Sequence, residues 1–155
     1  MNMISMRAKI LILFLSSAIV MVACKKNEYT TAPQLSFISV NSTSLRAGDV
    51  LGFNIEFTDK EGDVQDTMWV QRISKICPVD VSRVIPYPIP SFTASSYLKG
   101  NFEIDYQYNV INGQYPFIGT CSTNKNDTSY FKFWIKDLAG HVSDTVVSPN
   151  IAFLK

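Results

Sequence analysis

The 155-residue sequence predicts an all-β protein, a single antiparallel β-sandwich. Apolar and polar residues alternate in three segments, 50–57, 101–109 and 130–136, which is typical of half-buried strands. Clusters of Gly, Asp and Asn separate these segments at a spacing that suits a sandwich. No segment after Cys24 shows the pattern of a long helix. Because 46% of the residues are hydrophobic, the chain can fill a core and is not a disordered acidic chain.

The first strands of the body are predicted in its N-terminal half. Residues 35–40 are strand-like, and residues 50–57 place their apolar side chains on one face. Residues 58–63 contain the Gly and Asp of a turn. In residues 67–76 we favour a strand for the first half, although the apolar residues there also fit one face of a helix. The short turn predicts that this strand forms a hairpin with the preceding one.

Prolines mark the middle of the chain. Residues 77–100 contain Pro78, Pro86, Pro88 and Pro90. Since proline lacks a backbone donor and favours an extended backbone, residues 85–91 are expected to be a loop or an edge strand.

The C-terminal half alternates again. Residues 101–109 predict a strand, and Asn112-Gly113 marks a turn. Residues 130–136 predict another strand, with a turn at 137–141 behind it. Residues 142–153 predict the last strand, which is interrupted at Pro149.

The N-terminus has the organisation of an export signal. Arg7 and Lys9 precede 14 uncharged residues, 10–23, a run shorter than the roughly 20 residues of a membrane-spanning helix. The run ends Met-Val-Ala before Cys24, which resembles the lipobox of bacterial lipoproteins. The resemblance implies cleavage before Cys24 and lipidation of that cysteine. An ordinary secretory signal and an uncleaved anchor are the alternatives.

Two further cysteines are expected to pair. If Cys24 carries lipid, Cys77 and Cys121 remain, and an exported chain favours a disulfide between them. Two buried free thiols are the alternative. A metal site is disfavoured, because neither cysteine has a CxxC spacing or a nearby histidine.

Two segments resemble a known kind of module. Residues 48–63, GDVLGFNIEFTDKEGD, and residues 131–144, FKFWIKDLAGHVSD, are similar to Ig-like modules of Gram-negative surface lipoproteins. The resemblance extends loosely over residues 35–153, and the proline-rich stretch departs from it. It implies an Ig-like β-sandwich in which the second segment forms a late hairpin.

The resulting division of the chain has three parts: a signal peptide at 1–23, the lipidated Cys24 with a tether at 24–34, and the Ig-like domain at 35–155.

The charge balance limits the partners. The chain has 14 Lys+Arg and 13 Asp+Glu, which disfavours nucleic-acid binding through a basic stripe. The formal net charge of +1 becomes −1 when cleavage removes Arg7 and Lys9. Membrane attachment is therefore expected from acyl chains. Lys25-Lys26 follow the cysteine where an aspartate favours inner-membrane retention in some bacteria, so we expect the outer membrane, on either its periplasmic or its surface face.

Catalysis is not expected. The chain has a single histidine, His141, in a turn with Asp137 and Asp144 close in sequence. No segment resembles a nucleophile elbow, and the isolated glycines make no phosphate loop. We therefore interpret the protein as a non-enzyme, with a small hydrolase as the least favoured reading.

One acidic turn is a candidate metal site. Asp59, Glu61 and Asp63 place three carboxylates at alternate positions, and Ca²⁺ prefers such oxygen ligands. The spacing does not match an EF-hand loop, and a solvated acidic turn is the alternative. Asp137 joins the cluster if the strands pair as supposed. No other cofactor is expected.

Aromatic residues are candidates for ligand contact. Tyr87, Phe92, Tyr97 and Tyr115 are expected in loops, and Trp134 falls on the lysine-bearing face of its strand. Together these features predict a lipid-anchored, non-catalytic interaction or structural module of the cell envelope, with other envelope proteins as partners. The alternative is an accessory glycan-binding lipoprotein of a nutrient-uptake system.

Overall fold

A computed structural model describes residues 28–77, 83–119 and 125–155, and every regular element within them is a β-strand. The all-β class is thus confirmed for this part of the chain. Within it, no helix has the length and apolar character needed to cross a membrane. The strands are β1 (Gln34–Val40), β2 (Ser44–Leu45), β3 (Val50–Asp59), β4 (Thr67–Ser74), β5 (Val84–Pro88), β6 (Leu98–Tyr108), β7 (Phe117–Ile118), β8 (Asp127–Lys136), β9 (Val146–Val147) and β10 (Ile151–Phe153).

The strands form two mixed sheets. The four-stranded sheet has the order β1-β3-β6-β7, and the six-stranded sheet has the order β2-β10-β8-β4-β5, with β9 also paired to β8. Most pairs are antiparallel, but β2 with β10 and β6 with β7 are parallel. The expectation of a purely antiparallel arrangement is wrong at these two pairs. Each of these pairs contains a two-residue strand, β2 or β7, that lies at a sheet edge. Its backbone forms hydrogen bonds with groups of the neighbouring strand that would otherwise be left exposed.

The predicted hairpin of β3 and β4 is also wrong. β3 pairs with β1 and β6, whereas β4 pairs with β5 and β8 in the other sheet. Both strands have one buried face. Residues 60–66 are long enough to cross the roughly 10 Å between packed sheets, so the two apolar faces oppose each other instead of lying side by side.

The core lies between the two sheets. The ring of Phe53 on β3 lies 4.9 Å from that of Phe131 and 5.0 Å from that of Phe133, both on β8. All three side chains are buried, and along β8 each buried residue alternates with a partly exposed one, as the sequence predicts. Burial of each such side chain stabilises the fold by about 1.5–3 kcal/mol, so this contact is a major link between the sheets.

A charged pair lies within the fold beside this core. Arg72 on β4 is 6% exposed and Asp127 on β8 is 2% exposed, and Arg72 Nη2 donates to Asp127 Oδ2 at 3.0 Å. Arg72 Nε donates to Ser129 Oγ, and Nη1 donates to the Gly119 carbonyl. The guanidinium carbon lies 4.0 Å from the centre of the Phe153 ring. Each nitrogen of the Arg72 guanidinium group thus has a hydrogen-bond acceptor, and Asp127 has a cationic partner.

The proline-rich stretch supplies an edge strand. β5 lies at one end of the six-stranded sheet, where Pro86 and Pro88 stand opposite Trp69 and Thr67 of β4. This confirms one of the two expectations for residues 85–91. The last predicted strand is divided into β9 and β10, and Pro149 lies between them.

Part of the expected tether contacts the body. Thr58 Oγ1 donates to the Glu28 carbonyl at 2.6 Å, and the Tyr29 ring packs edge-on against Tyr97 at 5.6 Å. Cys24 and the expected signal peptide lie outside the described residues. Within the described residues, contacts with the body begin at Glu28.

Candidate functional site

Two turns meet at one end of the fold. The first follows β3 and the second follows β8, and the backbone N–H of Leu138 in the second donates to the Asp63 carbonyl in the first at 2.9 Å. This bond holds together two turns from different sheets. It places Asp137, the first residue after β8, beside the acidic turn predicted from the sequence.

Asp59 organises the first turn. This last residue of β3 is fully buried, and its Oδ2 accepts the backbone N–H groups of Gly62 and Asp63. Gly62 has φ +75°, and a Cβ there would lie 2.1 Å from the Ser95 carbonyl oxygen, so glycine is required. The carboxylate therefore closes the turn on itself, as Asp does in many turns.

Asp137 organises the second turn. Its Oδ1 accepts the backbone N–H of His141 at 2.7 Å, and its Oδ2 lies 2.9 Å from His141 Nδ1. Asp137 is fully buried, whereas the His141 side chain is partly exposed. His141 therefore contacts the carboxylate of its own turn, through its backbone N–H and its ring Nδ1.

The two turns bring three carboxylates together. Asp59, Asp63 and Asp137 each offer one carboxylate oxygen, and these oxygens lie within 4.8 Å of one another. Asp59 and Asp137 are fully buried and Asp63 is partly buried. Burial is the main cause that raises the pKa of Asp59, and the nearby charges of Asp63 and Glu61 raise the pKa further.

The structure keeps two of the three predicted ligands together. Glu61 points away from the cluster: its side chain is 42% exposed, and its Oε1 lies 3.9 Å from Lys60 Nζ and accepts a bond from Thr31 Oγ1. Asp137 occupies the third position. The sequence places Asp137 in this cluster only if the strands pair as supposed. Asp137 does join the cluster, although β3 and β4 do not form the supposed hairpin.

The predicted ligand-contact aromatics do not share one face. Tyr87 is partly buried and packs edge-on against Tyr106 in the core, 6.3 Å away. Phe92 and Tyr97 are exposed, and Tyr115 is partly exposed. Trp134 lies on the opposite face of the six-stranded sheet from Tyr87, because Tyr87 pairs with the buried Met68 and Trp134 pairs with Trp69.

The outer face of the six-stranded sheet has its own aromatic pair. Trp69 and Trp134 stand opposite each other on β4 and β8, with ring centres 6.2 Å apart and ring planes 10° apart. The next outward pair is Gln71 and Lys132. We call these four residues the tryptophan face. The alternation of Trp69 with the buried Met68 also indicates the outer face.

An apolar cleft opens between β5 and β6. It has a volume of about 240 Å³ and is lined mainly by Met68, Tyr87, Ile89, Phe102 and Tyr106. Burial raises the pKa of Tyr106 well above its ordinary value. The volume is below the roughly 300–1,000 Å³ of typical ligand pockets, so we do not place a site there.

Comparisons with known proteins assign the chain to no family. No family model matches it, and no curated protein matches it. Among solved structures it is similar to Spo0M, a sporulation control protein from Bacillus subtilis, with TM-score 0.44 and 14% identity over 81% of this chain and 51% of that chain. It is also similar to Pseudomonas fluorescens alkylpurine DNA glycosylase AlkC, with TM-score 0.44 and 5% identity over 81% of this chain and 31% of that chain. At TM-scores below 0.5, neither similarity carries a functional argument.

Proposed function

We propose that this chain is a lipid-anchored, non-catalytic interaction module of the bacterial outer membrane. The observation that carries the proposal is the lipobox-like sequence ending at Cys24, directly before an all-β body. Contacts with the body are already present at Glu28. Four residue steps span at most about 14 Å, so an acyl chain on Cys24 holds the body close to the membrane surface.

The body is proposed to be an Ig-like β-sandwich. Two sheets that share one core, with a long link that crosses from β3 to β4, are consistent with that architecture. The antiparallel pairing of β8 with β9 supports the late hairpin that the resemblance implies.

A disulfide between Cys77 and Cys121 belongs to the same proposal. Cys77 is buried just beyond the end of β4, and its N–H donates to Ser74 Oγ at 2.9 Å. Cys121 lies outside the described residues, six positions before the start of β8. Because β4 and β8 are neighbours, a bond between these positions is consistent with the sheet order.

The tryptophan face favours glycan binding as a second candidate function. Sugars combine apolar C–H faces with hydroxyl groups, so aromatic rings beside hydrogen-bonding side chains suit them. The paired rings of Trp69 and Trp134, with Lys132 and Gln71 as neighbours, supply both kinds of group. A shallow depression lies against Trp134 and Lys132.

Fatty-acid labelling tests the anchor. The full-length gene is expressed in a Gram-negative host with an alkyne analogue of palmitate, and label and membrane association are measured. We expect the wild type to be labelled and to remain with the membranes, and Cys24→Ser to lose both. Cys77→Ser is the matched control and keeps the label. Equal labelling of wild type and Cys24→Ser contradicts the proposal.

A glycan array followed by calorimetry tests the second candidate. The detergent-solubilised full chain is applied to the array, and ligands that bind are titrated against variants. Trp69→Ala and Trp134→Ala are expected to weaken binding at least about tenfold, because stacking and burial are lost. Phe117→Ala, which removes an exposed aromatic outside the tryptophan face, is the control. If no glycan binds, this candidate is rejected and the anchor is unaffected.

A further inference from the structure

We propose that Asp59, Asp63 and Asp137 form a calcium site that joins the turn after β3 to the turn after β8. The proposal is independent of the lipid anchor and of the tryptophan face.

The spacing of the carboxylate oxygens suits a calcium ion. Calcium binds oxygen ligands at about 2.4 Å, so two oxygens on one ion lie up to about 4.8 Å apart. One oxygen from each of the three carboxylates satisfies this limit with respect to the other two. Magnesium demands near-ideal octahedral geometry and dehydrates reluctantly, so it is rarely held by a set of protein carboxylates alone.

Two carboxylate oxygens of the cluster lack hydrogen-bond partners. Among the residues that the structure describes, Asp59 Oδ1 and Asp63 Oδ1 are shielded from solvent and make no hydrogen bond. Asp59 itself is fully buried, and its other oxygen closes the turn. A buried carboxylate oxygen without a partner is costly, and a bound cation removes that cost.

The charges around the cluster favour a cation. The lysines nearest to the cluster in sequence are engaged elsewhere, Lys60 with Glu61 and Lys136 with Asp66. Within the described part of the chain, the basic side chain that contacts a cluster member is His141, whose Nδ1 lies 2.9 Å from Asp137 Oδ2. A divalent cation would offset the repulsion among three carboxylates that are otherwise close together.

The ligand chemistry selects a hard cation. All three side chains offer oxygen, and the single nearby imidazole nitrogen, His141 Nδ1, is already occupied by Asp137. Softer metals such as zinc favour nitrogen and sulfur ligands. Three protein oxygens leave the remaining positions of a six- to eight-coordinate calcium for water, which reaches the site beside the partly exposed Asp63.

Calcium binding is measured on the full-length protein, purified from membranes in neutral detergent and stripped with EGTA. Thermal unfolding is followed by tryptophan fluorescence, and the binding stoichiometry by calorimetry. With an affinity in the range of extracellular modules, roughly 10⁻⁴–10⁻³ M, about 10 mM CaCl₂ is expected to raise Tm by about 5 °C. Magnesium at the same concentration is expected to produce less than half of that shift.

Three charge-matched variants locate the site. Asp59→Asn and Asp63→Asn are expected to lose most of the calcium-induced shift and to weaken binding at least about tenfold. Glu61→Gln removes the same charge from the same turn and is expected to keep the response. Without calcium, the two Asn variants should melt at or above the wild-type Tm, because repulsion within the cluster is relieved.

The results separate the possibilities. A calcium response with one ion per chain, absent in Asp63→Asn and kept in Glu61→Gln, supports the proposal even if Asp59→Asn does not fold. The proposal is overturned by no shift in the wild type, by an equal shift with magnesium, by retention of the shift in Asp63→Asn, or by its loss in Glu61→Gln.

Discussion

Replacement of Arg72 by methionine tests how the charged pair within the fold contributes to stability. Methionine keeps much of the length of the side chain but removes its three hydrogen bonds to Asp127, Ser129 and Gly119. Asp127 then keeps the hydroxyl donors of Ser74 and Ser129. A buried negative charge is left without its cation.

The expected magnitude follows from the burial of both partners. Removing one partner of a buried ion pair costs about 3–5 kcal/mol, because the remaining charge is uncompensated. Arg72 and Asp127 are both almost fully buried, so the screening that weakens surface pairs does not apply. The loss is a large fraction of the roughly 5–15 kcal/mol that stabilises an ordinary domain. Replacing both residues by apolar ones, in Arg72→Met with Asp127→Leu, should cost less than the sum of the two single changes.

Urea unfolding at pH 7, followed by tryptophan fluorescence, gives the free energy of unfolding of each variant. We expect Arg72→Met to lose about 3–5 kcal/mol and the double variant to show a favourable coupling between the two residues. A loss below about 1 kcal/mol, or additive single effects, would refute the view that the pair acts as a buried unit.

Three further predictions concern pH, a turn and the expected disulfide. Burial raises the pKa of Asp127, but hydrogen bonds from two serines and the charge of Arg72 outweigh burial and leave the pKa below its ordinary value. The stability that this lowered pKa provides is present above about pH 4 and is lost as the pH falls. The loss of stability caused by Asp127→Asn, measured by urea unfolding, should therefore shrink between about pH 5 and pH 2. Gly62→Ala should lower the free energy of unfolding by at least about 2 kcal/mol in the same assay, because the new Cβ clashes with the Ser95 carbonyl and the residue also has positive φ. Gly48→Ala should lower it by about 1 kcal/mol, because Gly48 has positive φ but open space around it. Cys77→Ser should lower stability by about 4 kcal/mol if the disulfide closes, and an equal stability of reduced wild type and variant would be consistent with that origin.

Local alternation predicts the strands well but not their partners. The pattern of residues 50–57 correctly marks β3 and its buried face, since side chains of period 2 report which face is apolar. The same pattern does not state whether the next strand lies beside it or across the core. The wrong prediction of a β3–β4 hairpin arises from this ambiguity. The two-residue strands β2 and β7 have no pattern at all, because tertiary contacts alone define them.

In the acidic site, too, the sequence predicts the local contacts but not the tertiary ones. Asp59 and Asp63 are close because they share one turn, and their spacing in the sequence reveals them. Asp137 is 74 positions beyond Asp63, and the two residues meet only because β3 and β8 end on the same side of the fold. Glu61 alternates correctly in sequence, but the turn directs it to solvent.

The prolines of β5 affect how neighbouring copies of the chain interact. Within a ladder, proline is tolerated where its missing N–H would face outward. With Pro86 and Pro88 at the rim of the six-stranded sheet, an incoming strand finds too few donors to attach. Copies at high concentration would otherwise risk polymerising edge to edge, and this rim disfavours such fibre growth without changing the rest of the solvent-facing surface.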